Sequence, residues 1–224
     1  RFAVLRRPER DELRHRAMQV LATSHHEMGR HEEAPALHQS LLSILQRNVV
    51  RGSTISAQRE LKKHQSMICD VQHKISGALY ELGRMDAQLD LLRDLHTRTM
   101  MCFPNSERMY ESVVDLSDAL CAQSHFAEAK SLLGRFTPLA FDALGHGHIV
   151  TLQLRYNHAH ALYMYHFFGY DGYIADYEVA ISFLEQLEEH LASYRCNARE
   201  KDEVLHLHHS TCALLVKAQN HRLE

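Results

Sequence analysis

Four short segments of this chain end alike, and that recurrence limits the folds open to it more than any other feature. Ala78-Leu79-Tyr80-Glu81-Leu82-Gly83 aligns with Ala119-Leu120-Cys121-Ala122-Gln123-Ser124 and with Ala161-Leu162-Tyr163-Met164-Tyr165-His166, at offsets of about 41 and 42 residues. The step back to Ser24-His25-His26-Glu27-Met28-Gly29 is about 54 residues, so the first linker is longer. Seven positions before each turn stands a small residue: Ala22, Ser76, Ser117 and Ala159. Small side chains in that register let the two helices of a hairpin approach closely. Ala34 and Ala129 do the same from the second helix, whereas Gln88 departs from the rule. Self-similarity at such a period means a stack of repeated units, each burying its apolar face against the next.

The units read as helical hairpins. Only 9 Gly and 4 Pro are spread over 224 residues, too few for the turns of a sandwich or barrel. One helix is expected from Asp11 to Met28, closed by Gly29. The next carries Leu37, Leu41, Leu42 and Leu45 at helical spacing, with Pro35 tolerated in its first turn. From Thr54 to Leu82 the pattern gives one long helix or two meeting near Lys62-Lys63. Met85, Leu89, Leu92, Leu95 and Thr99 mark a following face that ends by Phe103-Pro104. Asn105 and Ser106 are suitable N-caps for a helix bearing Val113, Leu116 and Leu120. Phe126, Ala129, Leu133, Phe136 and Ala140 form another stripe, with Pro138 expected to kink it and Gly145 and Gly147 to close it. Further helices are expected over about 149–165 and along the stripe Ile174, Tyr177, Ile181, Leu184 and Leu187. The expected fold is all α: a right-handed superhelical stack of antiparallel hairpins over 1–224. The hairpins lie at about 11–50, 62–103, 106–144 and 149–194, then a final helix at 202–222. Arg1 opens the chain and its last residues still read as helix, so an excerpt of a longer protein is expected.

Two segments give the repeat a family likeness. Ala127-Glu128-Ala129 follows its turn as an EA pair, and Leu144-Gly145-His146-Gly147-His148-Ile149-Val150-Thr151-Leu152 has the form LG-x-x-H-x-x-T-L. The latter runs into Asn157-His158-Ala159-His160-Ala161-Leu162-Tyr163, an N-x-A-x-x-L-Y opening. These features resemble the tetratricopeptide (TPR) pattern, in its kinesin-light-chain form with repeats of about 42 residues. The likeness is good from about 70 to 165, weak before 50, and interrupted after 168.

That resemblance implies an α-solenoid whose first helices line a concave groove able to hold an extended or helical peptide. The family's groove positions fall on Gln19, Thr23 and His26; His73, Gly77 and Tyr80; Val114, Asp118 and Cys121; Tyr156, His160 and Tyr163. Asn157 takes the family's asparagine position, where a side-chain amide can bond a peptide backbone. The candidate set is therefore His26, His73, Tyr80, Asp118, Tyr156, Asn157, His160 and Tyr163. Families that hold acidic peptide ends use several Lys, Arg and Asn, whereas here Glu81, Glu111 and Asp118 sit among His and Tyr. An acidic-tail ligand is not expected.

Enzymatic signatures fail. No GxxxxGK[ST] or GxSxG occurs, and Gly145-x-Gly147 lacks a preceding strand and a third glycine. Neither His26 nor His31 has a second histidine four residues on. His208 and Cys212 (i, i+4) and His206 and His209 (i, i+3) share the last helix, but further ligands of a zinc site would have to come from elsewhere. The blander account is a surface of biased composition, and no metal or cofactor is expected. His146 and His148 are expected to cap or pack. The aromatic residues Tyr163, Tyr165, Phe167, Phe168, Tyr170, Tyr173 and Tyr177 are expected to pack a loop insertion onto the stack. A formal charge of −3 and the short basic pairs Arg6-Arg7 and Lys62-Lys63 point away from nucleic acid. Five scattered cysteines read as reduced thiols in the cytoplasm, and no apolar run reaches membrane-spanning length. The expected role is a non-catalytic scaffold or adaptor for a protein or peptide partner. The alternative is a regulatory or substrate-recruiting arm of a larger enzyme.

Overall fold

The computed structural model describes residues 33–47, 55–168, 174–194 and 201–221. The expected first helix, with His26 and Ala22, lies outside the described residues. Those described form eight helices and no strand: α1 (Glu33–Arg47), α2 (Ile55–Glu81), α3 (Met85–Cys102), α4 (Glu107–Ala122), α5 (Phe126–Leu144), α6 (Ile149–Phe167), α7 (Ile174–Ser193) and α8 (Lys201–His221). They fall into two compact units, Arg1–Cys102 and Phe103–Glu224.

In the first unit α2 packs against both α1 and α3. Leu41, Leu42 and Leu45 of α1 interlock with Ile68, Val71 and Ile75 of α2. The helix α2 is continuous through Lys62-Lys63, both exposed, so the pair marks a solvated turn of helix rather than a break. Gln72, buried on α2, ties the hairpin together: its amide donates to Asp94 and its carbonyl accepts from Arg98 Nε at 3.1 Å.

Two hairpin turns are built alike. At the end of α2, Gly83 N donates to Tyr80 O and Arg84 N to Leu79 O, both at 2.9 Å. At the end of α4, Ser124 N donates to Cys121 O at 3.0 Å and His125 N to Leu120 O at 2.8 Å. Both are Schellman caps, in which the residue after the helix takes a left-handed conformation so that orphan carbonyls find donors. The φ values are +66° at Gly83 and +62° at Ser124. The recurring turn in the sequence is therefore a recurring cap.

In the second unit the starts of α4 and α6 are also capped. Ser106 Oγ accepts from Met109 N at 3.4 Å, and His148 Nδ1 accepts from Val150 N at 3.3 Å. His146 stacks on Phe141, with ring centroids 4.6 Å apart. The linker histidines thus cap and pack. The stripe Phe126, Ala129, Leu133, Phe136 and Ala140 is wholly buried, and α5 runs on through Pro138 to Leu144. Ser117 and Ala159 are fully buried where helices touch, as their small size requires.

Helix α6 contacts α4, α5, α7 and α8. Its buried residues accordingly do not keep to one stripe: Val150, Leu152, Leu154, Ala159, Ala161 and Leu162 point in several directions. A helix buried on several sides is one that its neighbours enclose. Leu152 and Leu154 are 0 % exposed, and each such leucine contributes about 1.5–3 kcal/mol. Beyond α6, Phe168 turns back to stack on Phe126, with centroids 5.3 Å apart. Tyr170 and Tyr173 lie outside the described residues, as does the side chain of Tyr177.

Candidate functional site

Adjacent first helices α4, α6 and α8 lie side by side, and the candidate residues of the second unit gather where they meet. The same spacing that buries Ser117 and Ala159 leaves their neighbour Asp118 exposed as a residue and His160 half-buried. Asn157 is buried, and its Nδ2 donates to Ser117 Oγ at 2.9 Å and to Asp118 Oδ1 at 2.8 Å, locking α4 to α6. Tyr156 and His160, one turn apart and half-buried, have near-parallel rings with centroids 6.1 Å apart. From α8, Ser210 hydrogen-bonds the Tyr156 hydroxyl, and Lys217 acts on His160.

Electrostatics follow from that crowding. Asp118 is exposed as a residue, but its carboxyl faces the packed side of α6. Loss of water there, with Asp115 adding, pushes its pKa up to about 7, while the Asn157 bond works the other way. Burial, then the Asp118 charge, pushes the Cys121 thiol up to about 12. Burial, then Lys217, lowers the His160 imidazole. Burial and Asp118 also raise the Tyr156 phenol. At neutral pH the face therefore holds a neutral thiol, phenol and imidazole beside a half-ionised carboxyl and the Lys217 ammonium. These groups can donate and accept hydrogen bonds around stacked rings, while the thiol is far from its nucleophilic form.

The structure thus brings together Asp118, Tyr156, Asn157 and His160. Tyr163 is not beside them on the surface: it is 5 % exposed, within a core of Ala159, Leu162, Ala180, Ile181, Leu184 and Leu214. Its position in the repeat marks it as groove-facing, but the added α8 covers that turn of α6. His73 and Tyr80 belong to the first unit and are exposed on α2, Tyr80 by 52 %. His26 lies outside the described residues. Sequence reasoning missed Ser210 and Lys217, which stand seven apart on α8. The signal was weak because the interruption after 168 destroys the 42-residue offset that would have assigned them a register.

A concavity of about 350 Å³ opens between α5, α6 and α7. Arg155 lines it with Phe141, Phe183 and His190, and its guanidinium lies 5.8 Å from the Phe141 ring centre. Among the described residues no helix is long and apolar enough to cross a membrane.

No protein-family model and no curated protein matches the sequence. Solved structures do. Two crystal structures of the nearly identical TPR-like repeats of a protein assigned as a kinesin light chain in Podosopora anserina, one of them a point-substituted form, cover 92% of this chain and 90% of theirs. Both are 18% identical, with TM-scores of 0.62 for the substituted form and 0.60 for the other. BtubC (BKLC) from P. vanneervenii is 14% identical over 96% of this chain and 82% of its own, with a TM-score of 0.52. The shared pattern of caps, small contact residues and paired helices agrees with these matches: the chain has the all-α, TPR-like repeat fold of the kinesin-light-chain type.

Proposed function

We propose that the chain is a non-catalytic interaction module of the cytoplasm, which holds a segment of a partner protein along its first helices. The observation that carries this reading is the joint face of α4, α6 and α8, where Asp118, Tyr156, His160, Ser210 and Lys217 converge. Such a face suits a peptide laid across it with its backbone amides and carbonyls satisfied by side chains. The negative charge of Asp115 and of partly ionised Asp118 offsets the Lys217 ammonium, so the face favours a polar, uncharged segment over an acidic tail. His73 and Tyr80 hold the equivalent repeat positions in the first unit, and His26 does so by sequence. Asn157 serves here as the brace that fixes Asp118 rather than as a direct ligand. The five cysteines are scattered singly along the sequence and never spaced as CxxC, which suits a reducing compartment.

The test is selection of peptides from a random library on the intact chain. Binding of the selected peptides is then measured on the double variant Tyr156→Ala, His160→Ala. The proposal expects a loss of at least about ten-fold. The exposed Val179 of α7 supplies the control, since Val179→Ala should bind as the parent does. Undiminished binding by a double variant of native helicity would sink the groove reading.

A further inference from the structure

The last two helices carry a cluster that plays no part in the face described above. His208 and Cys212 stand four residues apart on α8, so both side chains project from one face of that helix. Glu188 of α7 meets them there, and one ligand atom from each of the three residues lies within 4.8 Å of the others. The helix pair holds this arrangement rigidly, with Leu187 and Leu191 of α7 packed on Val204 and Leu207 of α8 one turn away. His208 Nε2 is buried without a hydrogen-bond partner and sits 3.7 Å from Glu188 Oε1. That gap is too wide for a hydrogen bond. It is close to the edge of a tetrahedron around a cation, roughly 3.4 Å for nitrogen and oxygen ligands bound at about 2.1 Å.

We propose that Glu188, His208 and Cys212 form a zinc site that clamps α8 to α7. The donor set decides the metal. A thiolate and an imidazole beside one carboxylate suit a borderline-soft, four-coordinate cation, whereas calcium and magnesium require oxygen ligands. On binding, the Cys212 thiol releases its proton to solvent, and the neutral imidazole binds through Nε2. The thiolate and carboxylate together balance the two positive charges of zinc. All three residues are half-buried, so a water molecule completes the tetrahedron from the open side. The exposed His206 and His209 stay outside the site.

The experiment uses the full reduced chain. Zinc is titrated against a chromophoric chelator, with cobalt as a spectroscopic stand-in whose thiolate charge-transfer band reports a Cys ligand. One tight equivalent is expected. Cys212→Ser should abolish the cobalt–thiolate band, and Glu188→Gln should weaken zinc binding by at least about ten-fold. The pair His206→Ala, His209→Ala should leave binding unchanged. Absence of a stoichiometric site, or a thiolate band that survives Cys212→Ser, overturns the proposal. Alkylation of the unmutated chain gives a second readout that needs no variant to fold. Zinc should slow modification of Cys212 at least about ten-fold relative to Cys102, whereas calcium and magnesium should not. Equal rates with and without saturating zinc likewise overturn it.

Discussion

Replacing Asn157 by alanine removes both hydrogen bonds that lock α4 to α6. The bond to Ser117 joins two neutral groups and is worth about 1 kcal/mol, while the bond to an ionised Asp118 is worth about 1.5–3 kcal/mol. Ser117 does not become an orphan, because its hydroxyl still donates to Val114 O at 2.8 Å. Water reaches the exposed edge of Asp118 and recovers part of the second bond. The net loss at pH 8 should be about 2–3 kcal/mol, which in a chain of this size lowers Tm by about 4–10 °C. The loss must also depend on pH. Asn157 lowers the Asp118 pKa, so its removal lifts a folded value of about 7 still further from the unfolded value of 3.8. The extra destabilisation is complete above the folded pKa and disappears as pH falls below it. At pH 5.5, where folded Asp118 is protonated, the loss should shrink to about 1–2 kcal/mol. Urea unfolding of parent and variant at both pH values measures this directly, and a double-mutant cycle with Asp118→Ala isolates the pair. A loss under about 0.5 kcal/mol at pH 8, or one equal at both pH values, refutes the assignment of Asn157 as the brace.

Three further outcomes follow from the Asp118 carboxyl and the two matched caps. Asp118 binds its proton more tightly folded than unfolded, so it costs stability as pH rises from about 3.8 to about 7. Asp118→Asn should therefore stabilise the fold at pH 8, by no more than about 1 kcal/mol after solvent screening, with the gain fading towards pH 4. At the two matched caps, Ser124→Gly should stabilise by about 0.5–1 kcal/mol, because serine strains at φ +62° where glycine does not. Gly83→Ala should destabilise by about 1 kcal/mol from backbone strain alone, since an added Cβ there meets no atom within 4 Å. Thermal denaturation of the two variants checks both signs, and a shift of the same sign in each would contradict a shared cap.

The helices were legible because their causes are local. Apolar spacing put Leu89, Leu92, Leu95 and Thr99 on one buried face, and Ser106 stood where a helix start needed an acceptor. The choice between one helix and two over 55–81 was not legible, because Lys62-Lys63 fits an exposed helical face as well as a junction. For the candidate site, register alone brought Asp118, Tyr156 and His160 to one face. It misplaced Tyr163, since whether a first helix is open or covered depends on what packs beside it. Ser210 and Lys217 belong to that same question, and so does Glu188. A carboxylate twenty residues before His208 on a different helix becomes its neighbour only when α7 folds back along α8.

The enclosure of α6 by four other helices bears on how the second unit comes apart. In a plain helical array each repeat leans on its neighbours, and unfolding can fray inward from either end one hairpin at a time. Here α4, α5, α7 and α8 all bury the same helix, so peeling any of them away exposes leucines that the rest still need. The second unit should open as a single cooperative block, with the amides of α6 the last to exchange their protons. Evolution can lengthen such an array at its ends, but a change inside α6 must satisfy four partners at once.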